Sequence, residues 1–227
     1  MILDDEDVLI QAATDSACYE MVDLGLSVKW ANKNVGASSP EDAGLYFQWG
    51  DTIGYTTDQV GKDKVFDKHS YPKYLNTKYN SNNGLKLLES IDDAATVYMG
   101  SKYRMPTIEE VNELVNNTTQ IFIDLDGNEY SKEQAQNRVI EPGKLKGVRF
   151  TGSNSNSIFI SATGYCGESL LFGIGMFGEL WSSNLNDISV DDARYLFFHY
   201  GGDVFENSNS IYYGQSIRGV QDNLNCK

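Results

Sequence analysis

WSSNLNDISVDDARYLFFHYGGDVFENSNSIYYGQSIRGV, residues 181–220, holds a short apolar strand, Arg194 to Tyr200, between polar loops that mix Asn, Asp and Ser with Tyr and Phe. Alternation along this strand puts Leu196 and Phe198 on one side and Tyr195, Phe197 and His199 on the other. Composition leaves two readings open. Flat rings with small amides and hydroxyls suit an adaptable binding surface, because rings give contact area at low entropic cost. The same residues suit a plain meander of strands with aromatics in its core.

Upstream, residues 164–178 are rich in glycine: Gly164, Gly167, Gly173, Gly175 and Gly178. Gly173-x-Gly175-x-x-Gly178 matches a dinucleotide fingerprint by letter, but Leu180-Trp181-Ser182-Ser183 follows where a helix should begin. Glycine loops between short strands account for it better. Val148 to Phe150 and Ser157 to Ser161 read as strands separated by a GSNSN connector. Asp126-Gly127 marks a hairpin turn within Ile121–Tyr130. Its carboxylates Asp124, Asp126 and Glu129 do not keep the register of an EF-hand loop. Ser131 to Arg138 reads as a short surface helix.

Two further helices precede these strands. Ser90 is placed to cap one running from Ile91 to Met99, stopped by Gly100. The other has the strongest local signal in the chain, a capping box of Thr107 and Glu110 followed by Ile108, Val111, Leu114 and Val115 at helical spacing. Nearer the N-terminus, Met21 to Trp30 alternates with Val22, Leu24, Leu26 and Val28 on one face, which predicts a half-buried strand. Leu45 to Trp49 predicts a second. Residues 50–84 lack periodicity and read as a long irregular insertion.

The chain of 227 residues is 41% hydrophobic and 22% charged, in the range of a globular protein. Its formal net charge of −14 opposes contact with phosphate backbones, so nucleic acid is not an expected partner. No stretch reaches the roughly 18 apolar residues of a membrane span. Cys18, Cys166 and Cys226 are an odd set with no metal-knuckle spacing, which leaves one disulfide open. Residues 1–20 form an acidic leader or docking arm with no recognisable secretory signal. Residues 21–221 read as one domain and 222–227 as a tail.

Several stretches together resemble a known family: VDLGLSVKWANKNVGASSPEDAGLYFQWGD (22–51), DDAATVYMGSKYRMPTIEEVNEL (92–114), SIFISATGY (157–165), LWSSN (180–184) and GQSIRGV (214–220). The resemblance is to the paralogous surface domain abundant in Bacteroidales and Fibrobacter, the major paralogous domain, over about residues 19–221. That domain is similar to the C-type-lectin-like fold, shared with formylglycine-generating enzymes and with the variable proteins of diversity-generating retroelements, phage tropism determinants among them. The resemblance implies an α+β, C-type-lectin-like domain with two helices, a small antiparallel sheet and long ligand-bearing loops. In similar proteins Leu196 and Phe198 would be core and their neighbours would point outward.

Calcium-dependent sugar binding is not implied, because Glu141-Pro142-Gly143 and Trp181-Ser182-Ser183 replace the calcium-binding EPN and WND triplets of animal lectins. Oxidase chemistry is not implied either, because Cys166 and Cys226 lie far apart. His69 and His199 have no nucleophile at a recognisable motif, and Arg104 and Arg218 suit structural hydrogen bonding.

The expected function is therefore non-enzymatic ligand binding or display, without metal or cofactor. The expected face comprises Asn184, Asn186, Tyr195, Phe197, His199, Asp203, Phe205, Asn207, Asn209, Tyr212 and Tyr213. Its partner would be a protein or glycan on a cell surface, and its location a bacterial cell surface or a virion. The Asn, Ser, Asp and Tyr content also suits a retroelement-diversified surface. The alternative is a virion decoration or fibre-tip subunit, whose face packs on another subunit or on a second copy of the chain. As ligand contacts, Tyr195, Phe197 and Tyr212 would tolerate alanine with melting temperature nearly unchanged.

Overall fold

The structure, a computed structural model, describes residues 19–80 and 84–223. Most of the acidic leader, Cys18, Cys226 and the end of the tail lie outside the described residues. The chain is a mixed α+β protein whose named strands pair antiparallel. Strands β1 (Met21–Val22) and β2 (Val28–Ala31) form a three-stranded sheet with the last strand, β12 (Val220–Asp222), so the two ends of the domain meet.

The expected strand over Met21–Trp30 is broken, because Gly25 turns the backbone through a positive φ of 75°. The alternation still holds, and Leu24, Leu26, Val28 and Trp30 are all buried. Leu45 to Trp49 makes only isolated bridges, Tyr46 to Tyr55 and Phe47 to Gln215. Its aromatics are buried, but the backbone has no partner strand long enough to build a ladder.

Helices α1 (Lys73–Lys78), α2 (Ala94–Met99) and α3 (Ile108–Asn117) follow. The expected cap at Ser90 is displaced. Ser90–Asp92 forms a 3-10 turn, and Asp93 caps α2 by accepting from the Thr96 amide at 2.9 Å. Helix α3 has the expected boundaries at its start, with the Thr107–Glu110 box formed in both directions. Strands β3 (Thr119–Asp124) and β4 (Glu129–Ser131) flank the Asp126-Gly127 turn, and α4 (Lys132–Gln136) follows with Ser131 as its cap. With β5 (Leu145–Thr151) and β6 (Ser157–Ser161) they make a four-stranded sheet in the order β4-β3-β5-β6. Asp124 holds its turn by accepting from the amides of Asp126 and Asn128.

The remaining strands carry the site. Strands β7 (Tyr165–Gly167) and β8 (Leu170–Phe172) form a hairpin, and β9 (Phe177–Leu185), β10 (Asp192–His199) and β11 (Val204–Ser210) form a three-stranded sheet. One face of that sheet, with Leu180, Leu196, Phe198 and Val204, packs with Ile108, Val111 and Leu114 of α3 and with Phe122, Val148 and Phe150 of the four-stranded sheet. The opposite face is covered over half its length by a second core. Trp181 and Tyr195 lie there with Trp49, Tyr71, Leu75, Tyr79, Ile211 and Ile217. The irregular segment 50–80 is tied into this core by Tyr71, Leu75 and Tyr79.

Candidate functional site

The site lies on the half of the β9–β10–β11 face beyond the second core, with Phe197 packed against the margin of that core. Strand register decides which side chains share it. His199 pairs with Phe177, Phe197 with Glu179, and Tyr195 with Trp181. On the other flank Phe197 pairs with Phe205, Tyr195 with Asn207, and Ala193 with Asn209. Directly paired residues project to the same side of a sheet, so all of these point one way.

Rings form a continuous surface across this half. Phe172 stacks on Tyr165 with centroids 5.3 Å apart, Tyr165 reaches Phe177 at 6.1 Å and Tyr213 at 5.2 Å, and Phe177 reaches Phe197 at 5.8 Å. Phe197 then contacts Phe205 at 5.2 Å and lies parallel to His199 at 6.3 Å. These separations are those of favourable ring pairs. The two ends of the row are open, with Phe172 41% and Phe205 42% exposed. Gly173 makes the arrangement sterically accessible, since a Cβ there would sit 2.0 Å from the Phe177 ring. Its φ of 74° also belongs to the region that favours glycine.

At the foot of the rings is Glu179, 3% exposed. Its Oε2 accepts from Gln215 Nε2 at 2.7 Å and from Asn209 Nδ2 at 3.3 Å. The Tyr195 hydroxyl is a further hydrogen-bond partner and is shared with Asn207. Burial pushes the Glu179 carboxyl up to about 7, against the hydrogen bonds of Asn209 and Tyr195, which favour the charged form. Burial lowers the His199 imidazole, opposed by the nearby Asp203 carboxylate.

The structure thus brings Phe197, His199, Phe205, Asn207, Asn209 and Tyr213 to one face, with Asp203 exposed in the adjoining β10–β11 turn. Four expected residues are placed otherwise. Tyr195 is 4% exposed and belongs to the second core, with its ring edge-on to Trp181 at 5.9 Å. Tyr212 is 9% exposed, packs edge-on to Tyr71 at 5.2 Å and donates to Asp191 Oδ1 at 2.7 Å. The outward reading of these two fails because Trp49 and Tyr71, distant in sequence, join Ile211 in covering that half of the sheet.

Asn184 accepts from the Ile108 amide at 2.9 Å and so supplies a partner to the first turn of α3. Asn186 folds its own loop, accepting from the amides of Ile188 and Ser189. It borders a cleft with Arg194 and Glu206 of the opposite face.

Conversely, Tyr165, Phe172, Phe177 and Glu179 complete the face and were not expected there. The period-two run Phe177-x-Glu179-x-Trp181, read as the partner of Tyr195-x-Phe197-x-His199, carries that signal. The glycine-rich wording around it masked the strand. Elsewhere Cys166 is buried, and burial raises its thiol well above the ordinary range, which keeps it unreactive. Among the described residues no helix is long and apolar enough to cross a membrane.

No protein-family model matches the chain, no curated protein matches its sequence, and no solved structure matches its fold.

Proposed function

We propose that this protein is a non-enzymatic binding or display module of the C-type-lectin-like class, displayed on a bacterial surface or on a phage particle. Its ligand face consists of Phe172, Tyr165, Phe177, Phe197, Phe205 and Tyr213, with His199, Asp203, Asn207 and Asn209 as polar contacts. The observation that carries this reading is the row of stacked rings, open at both ends and mounted on a sheet whose other side is core. Rings held by backbone pairing are already ordered, so binding loses little entropy. The exposed ends, Phe172 and Phe205, leave apolar surface open to a partner. The ligand is a protein or glycan taken by stacking and hydrogen bonds, without a cofactor. The face suits retroelement diversification because its variable-type residues stand on a scaffold of buried ones.

Sequencing this locus across many isolates from one source tests the proposal. Substitutions should gather at Phe197, Asp203, Phe205, Asn207, Asn209 and Tyr213, while Trp181, Tyr195, Leu196 and Phe198 stay fixed. An even spread, or avoidance of the exposed set, overturns it. A fixed exposed set would instead favour the alternative, a virion subunit whose ring row packs on a neighbour. That reading requires light scattering to find an assembly that Phe205→Ala dissolves.

A further inference from the structure

Glu179 is a buried acid with no cation beside it. Of the other buried carboxylates, Asp51 and Asp92 have a lysine, and Asp93 and Asp124 are held by backbone amides. Asp92 is 2.6 Å from Lys78 Nζ, Asp93 accepts from the amides of Thr96 and Met105, and Asp51 lies 4.0 Å from Lys64 Nζ. The hydrogen-bond partners of Glu179 are instead two carboxamides and a phenol. Among the described residues no Lys or Arg lies within ion-pair distance of it. A second acceptor beside it is also unmet, since Gln215 Oε1 is buried without a hydrogen-bond donor. Buried acceptors without donors cost stability, and a buried carboxylate without a cation costs more.

The surroundings specify what is missing. Glu179 pairs across the sheet with Phe197 and faces the Tyr165 phenol, and the π-faces of such rings attract cations. A guanidinium has five N–H donors in a flat fork that donates to a carboxylate and a carbonyl together and stacks on rings. The chain carries a net charge of −14, which draws a basic partner from a distance. Asn209 is partly exposed and holds the carboxylate by the longer of the two carboxamide bonds, at 3.3 Å.

We infer that the ligand face recognises a basic protein segment, an arginine side chain of which enters between the rings and is received by Glu179 and Gln215. This rests on the reading of the ring row as a binding surface and names the chemistry of its partner.

The test is calorimetric titration of the full chain with a hexaarginine peptide and with hexacitrulline, which keeps the shape and loses the charge. Hexaarginine should bind at least about tenfold more tightly than hexacitrulline, and Glu179→Gln should remove that advantage without lowering the melting temperature. Absence of saturable hexaarginine binding overturns the inference, as does equal binding by wild type and Glu179→Gln. Phe205→Ala separates the two levels of the argument. Equal binding of both peptides that Phe205→Ala weakens overturns the arginine assignment and leaves the ring row standing as a binding face. Hexaarginine binding that neither substitution weakens places the peptide on the acidic surface at large and overturns both.

Discussion

Glu179 makes the chain's stability depend on pH in a direction opposite to that of an ordinary paired acid. Its carboxyl rises from 4.5 to about 7 on folding, mainly through burial. Between those values the folded chain keeps a proton that the unfolded chain has released. This contribution is therefore absent below pH 4.5, destabilises progressively as pH rises, and levels off above about pH 7. The shift corresponds to a penalty on the order of 3 kcal/mol. The phenols of Tyr165 and Tyr195 that face it are themselves raised and stay protonated throughout this window. Urea denaturation of wild type and Glu179→Gln at pH 5 and pH 8 should show the variant gaining on wild type as pH increases. A difference independent of pH would mean that Glu179 is not desolvated. The aromatic residues divide by burial. Tyr195→Ala empties a site in the second core and should cost about 3–5 kcal/mol, whereas Phe205→Ala at the open end should cost under about 1 kcal/mol. Thermal melts of the two variants check this, and equal costs would erase the distinction between core and face.

Among the elements, those whose hydrogen bonds are local could be read from residue order. Helix α3 starts where the Thr107–Glu110 box places it, because donor and acceptor stand three residues apart in the chain. The turn at Asp126-Gly127 and the short helix expected over Ser131 to Arg138, found at Lys132–Gln136, were legible for the same reason. Helix α1 was not, since its start at Pro72 has no side-chain cap and Leu75 is its buried residue. It is held by the core that Tyr71, Leu75 and Tyr79 share with Trp181, more than a hundred positions away. The same distance explains the candidate site. Alternation correctly separated Leu196 and Phe198 from Tyr195, Phe197 and His199, but no local pattern says how far a face is covered. Phe197 and Tyr195 are two positions apart on one strand. One is half-buried at the margin of the second core and the other lies within it. Glu179 was missed because a buried carboxyl has no sequence signature of its own.

At the scale of the whole molecule, the chain is closed by a buried arginine. Arg218 is fully buried and donates to Asn34 Oδ1 at 2.8 Å, to the Ala31 carbonyl at 3.0 Å and to the Phe159 carbonyl at 3.1 Å. It therefore joins the segment after β2, the edge strand β6 and the approach to β12. Burial lowers its guanidinium to about 9, so the charge is held at a cost that its three acceptors offset. Pairing of β12 with β2 adds a second closure next to it, in which Val220 faces Trp30. The β9–β10–β11 sheet is tied to this closure, since Ser216, just upstream of Arg218, bridges to Leu180, while Gln215 bridges to Phe47. Arg218→Ala would leave three buried acceptors without donors and should cost about 3 kcal/mol or more. For a domain of this size that is a fall in melting temperature of about 6–12 °C. Arg218→Lys should recover only part of it, because one ammonium cannot span the three acceptors that a planar fork reaches. If the unfolding transition stays single while it moves, the two sheets and the ring face unfold as one cooperative unit closed through Arg218. If it splits in two, with the aromatic face melting first, the closure joins two separately folding halves, and the rigid mounting argued for the ligand face fails with it.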